Sequence, residues 1–255
     1  MTNPNHESAA QFLLAARKRG TPGPRIPAEF RPADNDGGLA IQARMTALVG
    51  QPVGGYKCSL PSEARPVLMA PIFAPTIAHA SPYPVLAVSE TARIEPEIAF
   101  VMARDLPPRA ATYAESEIRN AIKEARLALE ILGSRYSDPD SATFPEVLAD
   151  GLANQGLCVG PVLRDPWARE LESLPIVIDS AAGVVATRKG RHADGHPVRP
   201  LYWLANYLAI RGTPLRAGMI VTTGSYCGAV DVPLDTPLTF AYGDLGTLSA
   251  TLTRA

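Results

Sequence analysis

The sequence predicts a mostly β protein with a few helices, on three observations. Its 25 prolines and 20 glycines fall between short apolar segments, which is the pattern of a fold rich in strands and loops. From residue 52 onward the apolar segments are short and strand-like, whereas residues 7–19 place apolar side chains at helical spacing. With 255 residues and 46% hydrophobic content, the chain can bury one sizeable core.

Two helices are predicted near the N-terminus, in residues 7–19 and 35–50. The segment GTPGPRIPAEFRP separates them, because its prolines and glycines break helical periodicity. We expect the two helices to form an N-terminal helical element over residues 1–51. Residues 52–255 then form a β-rich domain, and the two parts make effectively one structural unit.

Two further helices are predicted within the β-rich domain. One begins at TYAE, where Thr112 and Glu115 match a capping box, and follows an apolar stripe to an end near Glu130. The other, PLYWLANYLAIRG, ends at Gly212, a suitable C-cap. IDSAAGVVA predicts a hairpin. The predicted strand segments are VGGYKCSL, PVLAVSETARIEPEIAFVMA, LCVGPVL, LPIVIDSAAGVVATR, GMIVTTGS and PLTFAYGDLGTLSATLT.

Composition favours small-molecule partners. The net charge is −1 and the basic residues are dispersed, which argues against nucleic acid and anionic lipid as partners. Three cysteines, far apart and without CxxC spacing, argue against a disulfide framework or a zinc site and fit a reducing cytoplasm. Without an apolar run near 18 residues or a signal-peptide pattern, we expect a cytoplasmic protein that contacts no membrane.

Two carboxylates stand two residues apart in the apolar run RIEPEIAFVM. In a strand, side chains at i and i+2 project from one face, so Glu95 and Glu97 would point together. Two like charges are costly to bury unless a positive charge lies between them, and oxygen ligands favour magnesium, manganese or calcium over zinc. The alternative is a strand face turned to solvent. Pro96 indicates an edge or an irregular point in the strand.

Two more residues are candidates for the same site. Glu130 stands among leucines and isoleucines in RLALEILGSRY and needs a counter-charge, unless it is a helix-end acid turned to water or the structural partner of Arg135. Lys57 follows two glycines in GGYKCSL, and partial desolvation there would lower its pKa toward acid/base use. The alternative is a lysine that only snorkels from a strand edge.

Six segments, spread in order along nearly the whole chain, match the motifs of one known family. They are DGGLAIQ, GGYKCSL, RIEPEIAFVMARDLP, LALEILGSRY, WLANYLAIRGTPLRAGMIVTTGS and GDLGTLSATL. Together they resemble the fumarylacetoacetate hydrolase superfamily, in its branch of 2-oxopent-4-enoate hydratases and 4-oxalocrotonate decarboxylases. Each segment alone is weak, and their common order carries the resemblance.

The resemblance implies an α+β protein with a mixed β-roll or distorted barrel-like core and flanking helices, assembled as a homo-oligomer of two or more copies. It implies that Lys57 is the catalytic acid or base of a catalytic domain spanning 52–255. It implies one Mg²⁺ or Mn²⁺ ion held by Glu95, Glu97 and Glu130. The residues implied around the carboxylate end of an oxo-acid substrate are Ser134, Arg135, Thr223, Gly224 and Ser225.

The activity implied is that of a hydro-lyase. It would be a metal-dependent hydratase that adds water to a 2-hydroxy-2,4-dienoate of the 2-oxopent-4-enoate type, giving a 4-hydroxy-2-oxo acid in the catabolism of aromatic compounds. A 4-oxalocrotonate-type decarboxylase is an alternative because it would use the same electron sink, and an idle homologue that only binds an oxo acid is another. The His/Glu pair of hydrolytic members is not found between Gly54 and Glu90.

The chain departs from the family pattern at Gly133, where members of this branch commonly carry Asp before the Ser-Arg pair. One acidic contact near the substrate or behind the site is therefore missing, which bears on substrate identity. The family's Ala-Asp-Asn run becomes ADGLANQGLCVG, which keeps Asp150 and shifts the asparagine to Asn154. The four histidines show no ligand spacing, and His79 and His196 are expected to serve loops.

Overall fold

The computed structural model describes residues 3–87 and 89–255. Within those residues there are five α-helices and thirteen strands. The helices are α1 (Pro4–Arg19), α2 (Asn35–Val49), α3 (Glu115–Asn120), α4 (Phe144–Ala149) and α5 (Val198–Ile210). The strands are β1 (Val53–Cys58), β2 (Met69–Phe73), β3 (Ile77–Ala78), β4 (Tyr83–Val85), β5 (Thr91–Met102), β6 (Ile122–Leu132), β7 (Asn154–Val162), β8 (Ser173–Ser180), β9 (Gly183–Arg191), β10 (Ile220–Ser225), β11 (Val230–Pro233), β12 (Pro237–Tyr242) and β13 (Thr247–Arg254).

The strands form two sheets. The larger has the order β2-β1-β10-β5-β6-β7-β3, with β11 paired to the first part of β5, and the smaller has the order β4-β13-β12-β8-β9. One hydrophobic core joins them, since Ile98 and Leu129 of the larger sheet share it with Phe240 and Leu248 of the smaller. The predicted α+β class with a barrel-like β core is confirmed.

The two predicted N-terminal helices are confirmed, and both carry the caps that their sequences suggest. The side chain of Asn3 accepts the Asn5 N–H at the start of α1, and that of Asp34 accepts the Gly37 N–H at the start of α2. Their apolar faces share a core with residues of the β-rich part, including Phe73. The domain division at residues 51 and 52 stays a prediction.

One buried amide ties α2 to the β-rich part. Gln42 is 4% exposed, and its side-chain nitrogen donates to the carbonyl of Met69 in β2 at 3.2 Å and to that of Leu148 in α4 at 2.7 Å. A buried amide donor without partners would be costly, so these two bonds fix the position of α2 against both elements.

The helix predicted from TYAE to Glu130 is wrong beyond its first turns. It ends at Asn120, and the following residues form β6, antiparallel to β5. The capping carboxylate is that of Glu117 rather than Glu115, and it accepts the Ala114 N–H at 2.8 Å. Residues 127–131 of β6 are all buried, so nearly every position is apolar and spacing alone does not separate strand from helix.

The other predicted elements are largely present. The hairpin is β8 and β9, and α5 ends at Ile210, two residues before Gly212, which lies in the left-handed region at φ 77°. Four elements were not predicted: α4, β2, β3 and β11. Among the described helices, none combines the length and the apolar character needed to span a bilayer.

Candidate active site

Neighbouring strands of the larger sheet supply the candidate site. Glu95 and Glu97 lie two residues apart in β5, and Glu95 is directly opposite Glu130 of β6 in the antiparallel register. Residues directly opposed in antiparallel strands project from the same face, so the three carboxylates meet. Lys57 comes from β1 and Asn154 from β7, on either side of this pair of strands.

Pro96 lies at an irregular point of β5, as its residue type indicates. The strand pairs with β11 over residues 91–94 and with β10 from Glu97 onward, so Pro96 sits where β5 changes partner. Its missing N–H therefore costs no bond of the ladder on that side.

The three carboxylates form an acidic cluster in which Glu97 and Glu130 are buried and Glu95 is partly buried. One oxygen of each of Glu95, Glu97 and Glu130 lies within 4.8 Å of the others. Glu97 is 1% exposed and Glu130 is fully buried. The Oε2 atom of Glu130 is buried and has no hydrogen-bond partner among the described residues. An orphaned carboxylate oxygen beside two other carboxylates is what a hard divalent cation satisfies, so these residues fit such an ion.

Lys57 is the cation that faces this cluster. Its Nζ atom lies 2.5 Å from Oε1 of Glu130 and 3.2 Å from the carbonyl oxygen of Leu152, and its side chain is 14% exposed. The Glu130 carboxylate also accepts a bond from Asn154 at 2.8 Å. Lys57 is therefore a buried partner of Glu130 rather than a lysine that snorkels from a strand edge.

The predicted lowering of the Lys57 pKa is wrong for the site without an ion. Burial pulls this pKa down, but the charges of Glu130, Glu95 and Glu97 outweigh it, and the pKa lies above its usual value. Burial and the charges of Glu130 and Glu95 raise the pKa of Glu97 to about 8, against a hydrogen bond from Thr222. Burial, with the charge of Glu130, also raises the pKa of Glu95. The cluster holds more negative charge than one lysine offsets.

Hydrogen bonds from β10 fix the orientation of Glu97. The hydroxyl of Thr222 and the N–H of Gly224 both donate to Oε2, the latter at 2.9 Å. Both bonds go to one oxygen, which leaves Oε1 for a ligand in the cluster. Charge-assisted bonds of this kind are about twice as strong as neutral ones.

A left-handed turn holds the carbonyl that contacts Lys57. Gly151, Leu152 and Ala153 have consecutive positive φ values of 73°, 54° and 57°. Each side chain with a Cβ costs roughly 1–2 kcal/mol in this region. The turn presents the Leu152 carbonyl to Lys57 and puts both Leu152 and Ala153 in the cavity wall. Strained backbone therefore lies beside the amine.

The site opens into a cavity of about 330 Å³. Its acidic end is the carboxylate cluster with Lys57. Arg65 also lines it, as do Cys58 and Ser59. Its apolar wall consists of Leu68, Leu132, Phe144, Val147 and Leu152. A cavity with one charged end and one apolar side suits a small acid with a short hydrocarbon chain.

The five predicted substrate-binding residues separate into two groups. Gly224 and Ser225 line the cavity. Thr223 is fully buried, and its hydroxyl donates to a backbone carbonyl of β5 at 3.2 Å. Ser134 accepts the N–H of Tyr136 with its hydroxyl oxygen at 3.0 Å. Neither Thr223 nor Ser134 contributes to the cavity wall within the described residues.

Arg135 is engaged by the protein itself. Its guanidinium donates to Oδ1 of Asp150 at 2.7 Å, to the Asp150 carbonyl at 2.7 Å, and to the carbonyls of Gly133 and Asn154 at 2.6 and 2.9 Å. It is 4% exposed. The alternative that Arg135 pairs with Glu130 is wrong, since Asp150 takes that place. A substrate role for Arg135 stays a prediction that this arrangement does not favour.

Another side chain fills the space beside Gly133, where the family commonly carries Asp. A Cβ built on Gly133 would lie 1.9 Å from Nε2 of Gln155. That amide donates to the carbonyls of Leu86 and Leu132, each at 2.9 Å. Gln155 thus takes the room that a side chain at residue 133 would need.

His192 is a residue near the site that sequence reasoning missed. It is 2% exposed, and its Nε2 atom lies 3.0 Å from the carbonyl oxygen of Thr223. Burial lowers its pKa. No spacing in the sequence signals this contact, because His192 follows the β8–β9 hairpin and reaches β10 only through the tertiary fold.

Comparisons with curated proteins give a consistent set of relatives, although no protein-family model matches the chain. A 2-keto-4-pentenoate hydratase of Paraburkholderia xenovorans (strain LB400) is 28% identical over 236 residues, covering 88% of this chain and 86% of that protein. 2-keto-4-pentenoate hydratase 2 of Dechloromonas aromatica (strain RCB) is 27% identical and covers 96% of each chain.

Solved structures agree with the fold. The 4-oxalocrotonate decarboxylase from Pseudomonas putida G7, complexed with magnesium and adipate, has a TM-score of 0.79 at 21% identity and covers 99% of this chain and 98% of that one. A putative fumarylacetoacetate hydrolase family protein from Yersinia pestis CO92 has a TM-score of 0.56 at 14% identity, covering 79% and 93%. The chain therefore has the fold of these proteins, and its sequence is similar to 2-keto-4-pentenoate hydratases.

The relatives that match in sequence are named 2-keto-4-pentenoate hydratases, and the structure with the TM-score of 0.79 is a 4-oxalocrotonate decarboxylase. At 21% identity the decarboxylase shares the fold. The distinction between the two activities therefore depends on the residues of the cavity.

Proposed function

We propose that this chain is a divalent-metal-dependent hydratase. It adds water to a 2-hydroxy-2,4-dienoate of the 2-oxopent-4-enoate type and gives a 4-hydroxy-2-oxo acid, as a hydro-lyase in the catabolism of aromatic compounds. The observation that carries the proposal is one cavity in which three carboxylates, two of them buried, meet Lys57. Relatives named as hydratases along nearly the whole chain support it.

Glu95, Glu97 and Glu130 are the proposed ligands of the ion, with Mg²⁺ or Mn²⁺ as its identity. Their donor set is all oxygen, and Glu130 Oε2 is the buried atom that lacks a partner. A bound dication would supply positive charge that polarises a 2-oxo acid and stabilises charge developing on its oxygen.

Lys57 is the proposed proton carrier. In the first half of the reaction the terminal carbon of the diene gains a proton, the 2-hydroxyl loses one, and a conjugated 2-oxo acid results. In the second half, the oxygen of water bonds to C4 and a proton is added at C3. The Lys57 amine lies beside the acidic end of the cavity, within reach of a substrate bound there.

The residues that line the cavity suggest how the rest of the substrate is oriented. Gly224 and Ser225 stand at the carboxylate end, while Phe144 and Val147 of α4 cover the hydrocarbon chain. Apolar side chains around a diene keep bulk water from the reacting carbons and restrict its conformers.

The direct test follows the diene absorbance of 2-hydroxypenta-2,4-dienoate with chelator-treated protein. We expect loss of absorbance only after Mg²⁺ or Mn²⁺ is added. Glu97→Gln should reduce turnover by at least about 100-fold, as expected for loss of a stabilising group at a reacting centre. Glu115→Gln is the matched control, since Glu115 is an exposed acid at the start of α3. Metal-independent turnover at an equal rate would contradict the proposal.

A decarboxylase is the second candidate, and Arg65 favours it. This cation lines the cavity, and no carboxylate among the described residues lies within salt-bridge distance of it. A substrate with a second carboxylate would provide that partner. Release of carbon dioxide from a 2-hydroxymuconate-type dicarboxylate would favour this candidate. In that case Arg65→Met should raise the KM for the dicarboxylate by at least about tenfold.

Binding of both acids without turnover of either would instead indicate the idle homologue. The homo-oligomeric assembly of two or more copies and the cytoplasmic location stay predictions. Sedimentation of the purified protein measures the first, and fractionation of cells that express it measures the second.

A further inference from the structure

His192 and Glu97 are linked through a single peptide group. The carbonyl of Thr223 and the N–H of Gly224 belong to the same peptide unit. The carbonyl oxygen lies 3.0 Å from Nε2 of His192, and the N–H donates to Oε2 of Glu97 at 2.9 Å. The imidazole, the peptide and the carboxylate therefore form a continuous hydrogen-bonded chain.

The contacts of the ring determine which nitrogen carries the proton. Nδ1 of His192 lies 3.2 Å from the backbone N–H of Asp194, so Nδ1 accepts. In a neutral imidazole the other nitrogen then bears the hydrogen. Nε2–H consequently donates to the Thr223 carbonyl. A donor on a carbonyl oxygen polarises its peptide and makes the N–H of that peptide a stronger donor to Glu97.

The surroundings hold the imidazole in this orientation. The ring meets Tyr226 edge to face with centroids 5.4 Å apart, and the Tyr226 hydroxyl donates to the Leu171 carbonyl at 2.6 Å. On the other side the backbone approaches closely, since a Cβ on Gly224 would lie 3.5 Å from Nε2 and 3.2 Å from the Ser59 hydroxyl. Gly224 also has φ 112°, a conformation that residues with a Cβ rarely adopt.

We propose that His192 is a positioning residue that acts through the Thr223–Gly224 peptide to orient Glu97 for cation binding. Glu97 can turn about its side-chain torsions, and its two donors, Thr222 and Gly224, both hold Oε2 and leave Oε1 for a ligand. His192 keeps the second donor aimed and polarised. The inference rests on the proposed function only in taking Glu97 as a cation ligand.

The experiment measures Mn²⁺ binding to chelator-treated full-length protein by electron paramagnetic resonance, without substrate. His192→Phe keeps an aromatic ring but has no donor, and we expect Mn²⁺ to bind about 5- to 10-fold more weakly, the lower end of what outer-shell changes cost. His192→Gln places an amide donor near Nε2 and should stay within about twofold of wild type. His79→Phe is the matched control, because it makes the same exchange at an exposed histidine that does not line the cavity, and it should stay within about twofold.

The outcomes separate the two proposals. If wild-type protein binds no Mn²⁺, the metal-dependent function and this inference both fail. If wild type binds Mn²⁺ and a folded His192→Phe binds it equally well, only the inference fails. Should His192→Phe not fold, ¹⁵N spectra of the wild-type imidazole decide: a protonated, hydrogen-bonded Nε2 supports the inference, and a proton on Nδ1 overturns it.

Discussion

Lys57 and Glu130 form a 2.5 Å ion pair although two strands, β10 and β5, lie between the strands that carry them. Three strand spacings in a flat sheet would separate the backbones by roughly 14 Å. The sheet therefore curls around the site, and the amine crosses β10 and β5 to reach the third carboxylate.

Lys57→Met should destabilise the chelator-treated protein. The change leaves the acidic cluster, with buried Glu97 and Glu130, without its lysine, and breaking a buried pair on one side costs about 3–5 kcal/mol of unfolding free energy. Added Mn²⁺ should recover much of that loss because it replaces the missing positive charge. Urea denaturation with and without Mn²⁺ measures both effects. Lys123→Met, at a mostly exposed lysine, should change neither, and an unfolding free energy unaltered by Lys57→Met would exclude a buried pair.

Cation affinity should rise with pH. The pKa of Glu97 is raised to about 8, chiefly by burial and by Glu130 and Glu95, so a proton competes with the cation below that pH. The Mn²⁺ dissociation constant should fall by up to about tenfold per pH unit between pH 6 and 8, and then level off. Titrations followed by electron paramagnetic resonance measure this slope. Glu97→Gln should bind Mn²⁺ more weakly, and its dissociation constant should depend less steeply on pH. An equally steep dependence would show that the competing proton is bound by another residue.

Asp150→Asn should affect stability far more than substrate binding. Arg135 is buried and donates to the Asp150 carboxylate, so loss of that charge leaves a buried guanidinium without its partner. We expect a loss of about 3 kcal/mol in unfolding free energy. Neither residue lines the cavity, so KM should stay within about threefold. A large rise in KM with unchanged stability would instead support the implied contact of Arg135 with the substrate.

Gly133→Asp, which introduces the residue common in the family, should be destabilising in this chain. A Cβ at residue 133 would collide with the side chain of Gln155 and displace it from the carbonyls of Leu86 and Leu132. We expect a cost of about 1–3 kcal/mol from overpacking and lost hydrogen bonds. Gln155→Ala removes the obstacle, so in a double-mutant cycle the two changes together should cost less than their sum. Strict additivity would show that the two positions do not compete for space.

The sequence allowed β5 and its glutamates to be predicted, because residues two apart in a strand share a face and this rule needs no tertiary information. It did not allow β6 to be predicted. Ile118, Ile122, Ala125 and Leu129 match helical spacing, yet residues 122–132 form a strand whose central part is buried on both faces. Placing Glu130 at a helix end followed from the same error.

Other features depend on tertiary packing, which the spacing of residues in the sequence does not reveal. The pKa of Lys57 is raised rather than lowered, since the charges of three carboxylates outweigh burial and only the fold brings all three to the amine. The contact of His192 with the β10 peptide is likewise a product of the assembled sheets. Gln155 beside Gly133 could have been found only by asking which side chain fills a space left by a glycine.

The two hydrogen bonds of Gln42 connect the N-terminal helical element to the rest of the fold. They join α2 to β2 and to α4, and α4 supplies Phe144 and Val147 to the cavity wall. Trimming the first 51 residues would thus leave that wall without its backing and alter which acids fit, even where the acidic cluster survives. The leading helices therefore support the cavity wall from behind, although none of their described residues lines the cavity.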